Sequence, residues 1–136
     1  MNPVSVDIKN VLVNNSIGIF QSSTGWSINI GSEPTSPHTT ITIYDTGGSL
    51  DYTLDRSDNP TQHSSFQIRV RSKNYLAAYA KALEIGQLLD KTATFSTGDV
   101  TYYLIQRTSD TFFLGRDDNS RNIFTINFTC VRHEED

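Results

Sequence analysis

Phe66-Gln67-Ile68-Arg69-Val70-Arg71-Ser72-Lys73-Asn74-Tyr75-Leu76-Ala77-Ala78-Tyr79-Ala80-Lys81-Ala82-Leu83 changes period halfway along. Phe66, Ile68 and Val70 alternate with Gln67, Arg69 and Arg71, the two-residue repeat of a strand with one face in a core. From Lys73 to Leu89 the repeat becomes helical. Ala77, Ala78, Ala80 and Ala82 favour a helix, and Tyr75, Leu76, Tyr79, Leu83, Ile85 and Leu89 give it a broad apolar face. Ser72 or Asn74 is placed to cap it. A strand running straight into a helix fixes the class: this helix must lie back on the sheet that the strand belongs to.

Other elements extend outward from this pair. Asn2 and Pro3 read as the start of a first helix, with Val4, Ile8, Val11 and Leu12 on one face. Trp26, Ile28 and Ile30 alternate with Ser27 and Asn29 as a half-buried strand, and Thr40–Tyr44 is a second, β-branched one. Gly31–Thr39, with Pro34 and Pro37, reads as a loop, and so does the polar stretch Asp45–Gln62. A connection of that length in a small domain points to function or mobility. Downstream, Thr92–Ser96 and Val100–Arg107 flank the turn Thr97-Gly98-Asp99. Phe112–Leu114 is a short apolar piece before the charged turn Gly115–Arg121. Ile123–Arg132 is the last strand, with Phe124, Ile126, Phe128 and Cys130 inward, and His133–Asp136 is expected to fray. The expected fold is α+β: one domain over residues 1–136, with an antiparallel or mixed β-sheet flanked by two α-helices.

Composition restricts the function. The 136 residues allow one sizeable core. A net charge of −4 argues against a protein that grips nucleic acid through its phosphates. The single cysteine, Cys130, cannot form an internal disulfide and reads as a small core residue. No signal-peptide pattern opens the chain, and no apolar run approaches the roughly 18–20 residues of a membrane span. A soluble, cytosolic product without a membrane partner is expected.

Catalytic and metal signatures are sparse. Asp45-Thr46-Gly47 after the apolar run Ile41–Tyr44 has the strand-to-turn context of an aspartic protease, and Leu114-Gly115-Arg116-Asp117 looks like the second motif of retroviral-type enzymes. A long mid-chain helix does not fit that fold, and Asp117-Asp118-Asn119-Ser120 is a turn rather than a helix start. A turn leaving a strand is the simpler reading of Asp45-Thr46-Gly47. His38, His63 and His133 lack metal-ligand spacing, and no phosphate loop or nucleophile elbow occurs. No cofactor and no metal are expected. Arg69 and Arg71 share one strand face, either solvated or meeting carboxylates of a neighbouring subunit. Arg116, Asp117, Asp118 and Arg121 offer mixed-sign partners for such a contact.

Three stretches together carry a resemblance: Ile43-Tyr44-Asp45-Thr46-Gly47-Gly48, Phe66–Arg71 running into Tyr75–Tyr79, and Gly115-Arg116-Asp117-Asp118-Asn119 before the strand Ile123–Arg132. In their order and spacing the chain resembles, over nearly its whole length, the tail terminator proteins of long-tailed bacteriophages, also described as minor tail or minor capsid proteins. It departs from that pattern at Gly31–Pro34, where Ser32 and Glu33 are more polar than the expected strand. The resemblance implies a non-enzymatic virion protein, assembled in the host cytoplasm and sited at the head–tail junction. It implies a homo-hexameric ring on the tail tube protein, which ends tube polymerisation and presents a surface to the head–tail connector protein, with DNA passing through but not specifically bound. Asp45, Gly47, Gly48, Arg69, Arg71, Arg116, Asp117, Asp118 and Arg121 are the expected subunit or partner contacts. Another connector, neck or minor capsid component is the alternative, and a retroviral-type protease using Asp45 the remote one.

Overall fold

A computed structural model describes residues 1–52 and 59–135. The elements are α1 (Val4–Asn14), β1 (Ile19–Phe20), β2 (Ser27–Ile30), β3 (Thr40–Asp51), β4 (Thr61–Ser72), α2 (Tyr75–Asp90), β5 (Phe95–Thr97), β6 (Val100–Arg107), β7 (Phe112–Arg116) and β8 (Asn122–Glu134). They form an eight-stranded sheet in the order β1-β2-β3-β4-β8-β6-β5, with β7 beside the first part of β8. β1, β2 and β3 run parallel, and every other pairing is antiparallel. The fold is α+β with a mixed sheet, and no helix among the described residues is long and apolar enough to cross a membrane.

The strand–helix pair that decided the class builds the centre. Val70, Ile68 and Phe66 sit opposite Phe124, Ile126 and Phe128 on one side, while Val70 and Ile68 sit opposite Ile41 and Ile43 on the other. Phe66 and Phe128 stack with centroids 4.9 Å apart, a cross-strand aromatic pair that helps fix register. Both helices pack on this face. α1 buries Val4, Ile8 and Leu12, and α2 buries Ala78, Ala82, Ile85 and Leu89. The alanines let α2 sit close to the sheet. The α2 cap is Asn74, whose side chain accepts the Ala77 N–H at 3.0 Å. Cys130 lies in the same core, where burial pushes its thiol up to about 11.

Several expectations need correction. Asn2 does not cap α1: Pro3 occupies the capping position without a side-chain bond. Half of Asp45–Gln62 is not a loop, because β3 continues to Asp51 and β4 starts at Thr61, pairing as far as Asp51 opposite Thr61. Polar residues are tolerated there because the pairing comes from backbone hydrogen bonds, not from side-chain burial. Residues 53–58 of that stretch lie outside the described residues. The C-terminus does not fray at His133, since β8 runs to Glu134 and the Glu135 N–H donates to the Asp99 carbonyl at 2.7 Å. Asp136 is outside the described residues. In β2, Ser27 and Asn29 are buried along with Ile28. On α2, Tyr75, Leu76 and Tyr79 point outward, so the helix is apolar on both sides.

Candidate assembly surfaces

The sheet face opposite the helices is closed at one end by the segment 31–39, held down by two buried arginines. Arg71, 3% exposed, donates from Nη2 to the carbonyls of Pro34 (2.6 Å) and Pro37 (2.8 Å). Arg121 donates from Nη1 to the Thr35 carbonyl and from Nε to Asp117 Oδ2 at 2.7 Å. Asp117 Oδ1 accepts the N–H groups of Asn119 and Arg121, both at 3.0 Å. Desolvation pushes the Asp117 carboxyl up. The Arg121 N–H, the Arg121 guanidinium and the Asn119 N–H outweigh it and hold the group below the usual carboxylate range. Arg69 Nη2 lies 3.4 Å from Glu33 Oε1 in the same segment. Arg71 therefore does not project to solvent. A loop carbonyl without a strand partner needs a donor, and the guanidinium fork supplies several from one side chain. Arg71→Met keeps the stem and removes those donors. It is expected to cost about 2 kcal/mol, the scale of hydrogen bonds to a charged group, and to speed protease cleavage between residues 31 and 39, read by limited proteolysis.

Asp45 caps α1. Its Oδ1 accepts the Ser5 N–H at 3.0 Å and its Oδ2 the Ser5 hydroxyl at 2.6 Å. An acidic group there complements the helix N-terminus. β3 bulges between Asp45 and Gly47, which separates the capping carboxylate from the polar arm beyond it. In the protease reading Asp45 would face a second aspartate across a dimer; here both its oxygens are engaged by α1. Leu114-Gly115-Arg116 belongs to β7, which pairs with β8 and not with β3. Among the described residues no three His, Cys, Asp or Glu side chains are placed to share a metal ion. Asp45→Ala is expected to cost about 1 kcal/mol, the usual worth of a helix cap, read as a shift in the urea midpoint.

One exposed apolar area includes residues that periodicity alone assigned to the core. Tyr75 packs edge-on against Phe113 at 5.2 Å and Phe124 at 5.0 Å, and Tyr79 reaches Phe124 at 5.5 Å. Tyr75, Leu76, Tyr79 and Phe113 are nonetheless exposed, Leu76 by 73%. Phe112 and Leu114 of β7 are exposed as well, and among the described residues β7 pairs with β8 alone. A contiguous aromatic area beside an open strand edge is the anatomy of a protein contact. A helix apolar on both faces was the signal in the sequence.

At the opposite end of β8 a polar knot ties α1 to β6 and β8. The Tyr102 hydroxyl donates to Asp7 Oδ2 at 2.5 Å, and Arg132 Nη1 donates to the Tyr102 oxygen at 3.1 Å and to the Asn2 carbonyl at 2.8 Å. Arg132 Nε donates to Gln62 Oε1 at 2.8 Å. Burial and the bond to Asp7 raise the Tyr102 pKa, so the phenol remains protonated. Of the expected contact residues, Asp45, Gly47, Gly48, Arg116 and Asp118 are exposed, whereas Arg71 and Arg121 are buried inside the subunit. Arg116 ends β7 and Asp118 follows it in the turn, with Arg116 Nε donating to Asn122 Oδ1 at 3.2 Å.

Comparison with curated proteins gives no match. Among solved structures, the fold is similar to a chain of the structure described as "Virion of native gene transfer agent (GTA) particle". The TM-score is 0.55 at 10% identity, covering 77% of this chain and 78% of that one, which bears on fold alone. The family described as "Bacteriophage tail terminator protein" matches residues 11–133, from the last turn of α1 to the penultimate residue of β8. With nearly all of the sheet and the whole of α2 inside that match, the chain belongs to the bacteriophage tail terminator family and is a structural component of the virion tail.

Proposed function

We propose that this chain, acting as one domain, assembles into a ring, in the expected form a homo-hexamer, that caps the tail tube, ends its polymerisation and offers the surface on which the head–tail connector docks. Family membership over residues 11–133 is the observation that carries this reading. The exposed aromatic area on α2 and β7 supports it, because a soluble subunit does not keep such a surface bare. Ring closure needs a heterologous contact, in which two different surfaces meet and the rotation per subunit divides a full turn. Asp45, Gly47, Gly48, Arg116 and Asp118 are proposed to touch a neighbouring subunit or the tube directly. Arg69, Arg71, Asp117 and Arg121 act through the segment 31–39, which they position.

The function is mechanical and uses no cofactor or catalytic group. The ring sits at the head–tail junction, and DNA crosses it without sequence-specific contact, in keeping with the net charge of −4. Light scattering on the purified chain tests the assembly: a mass that is a closed multiple of the subunit is expected, and a persistent monomer at high concentration would refute it.

A further inference from the structure

The subunit is electrically polar along its strands. At the Asn122 end of β8, the exposed side chains of Lys73 and Arg116 flank Tyr75, Leu76 and Phe113. Asn122 Nδ2 donates to the Lys73 carbonyl at 3.1 Å and Asn122 Oδ1 takes the Arg116 Nε, so both residues meet at one strand end. The local field is positive. Desolvation lowers the His38 pKa first, and the charges of Lys73, Arg121 and Arg71 lower it further, against an upward pull from Asp117. Asp118 is the other carboxylate on this turn, and Glu33 is taken up by Arg69.

At the Glu134 end, about 40 Å away for a strand of this length, α1 and the β5–β6 hairpin enclose a cleft. Asp7, Asp99, Val100 and Glu134 line it together with Met1, whose ammonium lies 3.8 Å from Glu134 Oε2, and Glu135 is exposed beside it. The cleft continues along α1 past Asn10 and Val11 to Phe95. Asp7, 3% exposed, sits where the two parts join, and its Oδ1 is buried without a hydrogen-bond partner in the chain. The one guanidinium present, that of Arg132, lies on the Oδ2 side at 3.8 Å. A buried carboxylate oxygen in an acid-lined cleft calls for a donor, and a cation satisfies both the hydrogen bond and the field. No group of acids here is arranged for a metal ion among the described residues, so the fitting donor is an organic cation on a protein side chain.

We propose that this acidic cleft receives the Lys73–Arg116 end of a second copy of the chain. This rests on the ring reading and names the two surfaces that a heterologous contact requires. The geometry pairs an exposed end, aromatic beside Lys73 and Arg116, with a cleft that is acidic at its rim and has Val11 and Phe95 inside. That arrangement matches the usual division of an interface into an apolar core and a polar rim. Charges of opposite sign at the two ends also guide copies head to tail and repel the like-ended encounters that would give closed dimers.

Light scattering on three variants tests it, with circular dichroism confirming that each is folded. Lys73→Glu/Arg116→Glu makes both ends acidic, and Asp99→Lys/Glu135→Lys makes both basic; all four residues are exposed. Each double variant is expected to lose the ring mass. The quadruple variant, with both signs exchanged, is expected to regain it, as is an equimolar mixture of the two doubles. If either double keeps the ring, or the quadruple fails to restore it, the pairing of these ends is wrong while the ring reading stands. A monomeric wild type would remove both. If a reversal unfolds, the neutral pair Lys73→Gln and Asp99→Asn replaces it. Each is expected to weaken assembly, and two variants that assemble like wild type would overturn the proposal.

Discussion

Gly48→Ala is expected to lower the melting temperature by about 10 °C. Gly48 has φ +145, and a Cβ built on it would lie 2.0 Å from the His63 carbonyl oxygen and 2.8 Å from Ser64 Cα. Those are backbone atoms of the paired strand, so no side chain can swing away. The strand must separate, or the residue must give up its conformation. Backbone strain of about 1–3 kcal/mol adds to overpacking of a similar size, and for a domain of this size each kcal/mol moves the melting temperature by roughly 3–5 °C. Gly47→Ala is the control. Its φ of +91 is also left-handed, but nothing lies within 4 Å of its Cβ, so only the conformational cost applies. Equal losses for the two would mean that the β3–β4 arm does not pair beyond the bulge as described.

Arg132→Ala is expected to cost about 3–5 kcal/mol, the scale for breaking a buried ion pair by removing one partner. Asp7 and Arg132 are 3% and 6% exposed, and Tyr102 between them is 1% exposed. Removing the guanidinium leaves the Asp7 carboxylate without its paired cation, and frees the Asn2 carbonyl and the Gln62 side chain. Tyr102→Phe removes the bond donated to Asp7 and the one accepted from Arg132 but leaves the guanidinium in place, and is expected to cost less, about 1–3 kcal/mol. The double variant Asp7→Leu/Arg132→Met is expected to recover part of the loss, because the uncompensated charge is the expensive component. Urea unfolding of all three gives the comparison, and a loss below that of Tyr102→Phe for Arg132→Ala would contradict it.

The central strands and both helices were legible because Phe66–Val70, Ile123–Cys130 and Ala78–Leu89 are held by side-chain burial, which leaves a period in the sequence. The arm Thr46–Asp51 left none, since glycine, serine and aspartate pair there through the backbone. Tyr75, Leu76 and Tyr79 were read inward because a helix apolar on both sides does not say which side its own sheet covers. The buried roles of Arg71 and Arg121 depend on carbonyls at Pro34, Thr35 and Pro37, more than thirty residues away in sequence. Asp45-Thr46-Gly47 had the appearance of a catalytic motif for a structural reason: a carboxylate followed by a glycine bulge serves equally to cap a helix laid across the strand. The expected contact residues Arg116 and Asp118 were read from charge pattern alone, and the aromatic area between them and α2 became visible only once β7 was placed beside Phe124.

The central claim is that this chain stops a growing tube. Tail tube protein polymerised in vitro, with and without the purified chain, and imaged by electron microscopy, tests it most directly. Added at substoichiometric amounts, the chain is expected to leave a ring of extra density at one tube end and to halt growth at that end. Tubes that keep lengthening at both ends in its presence, with no density added to either, would contradict the account.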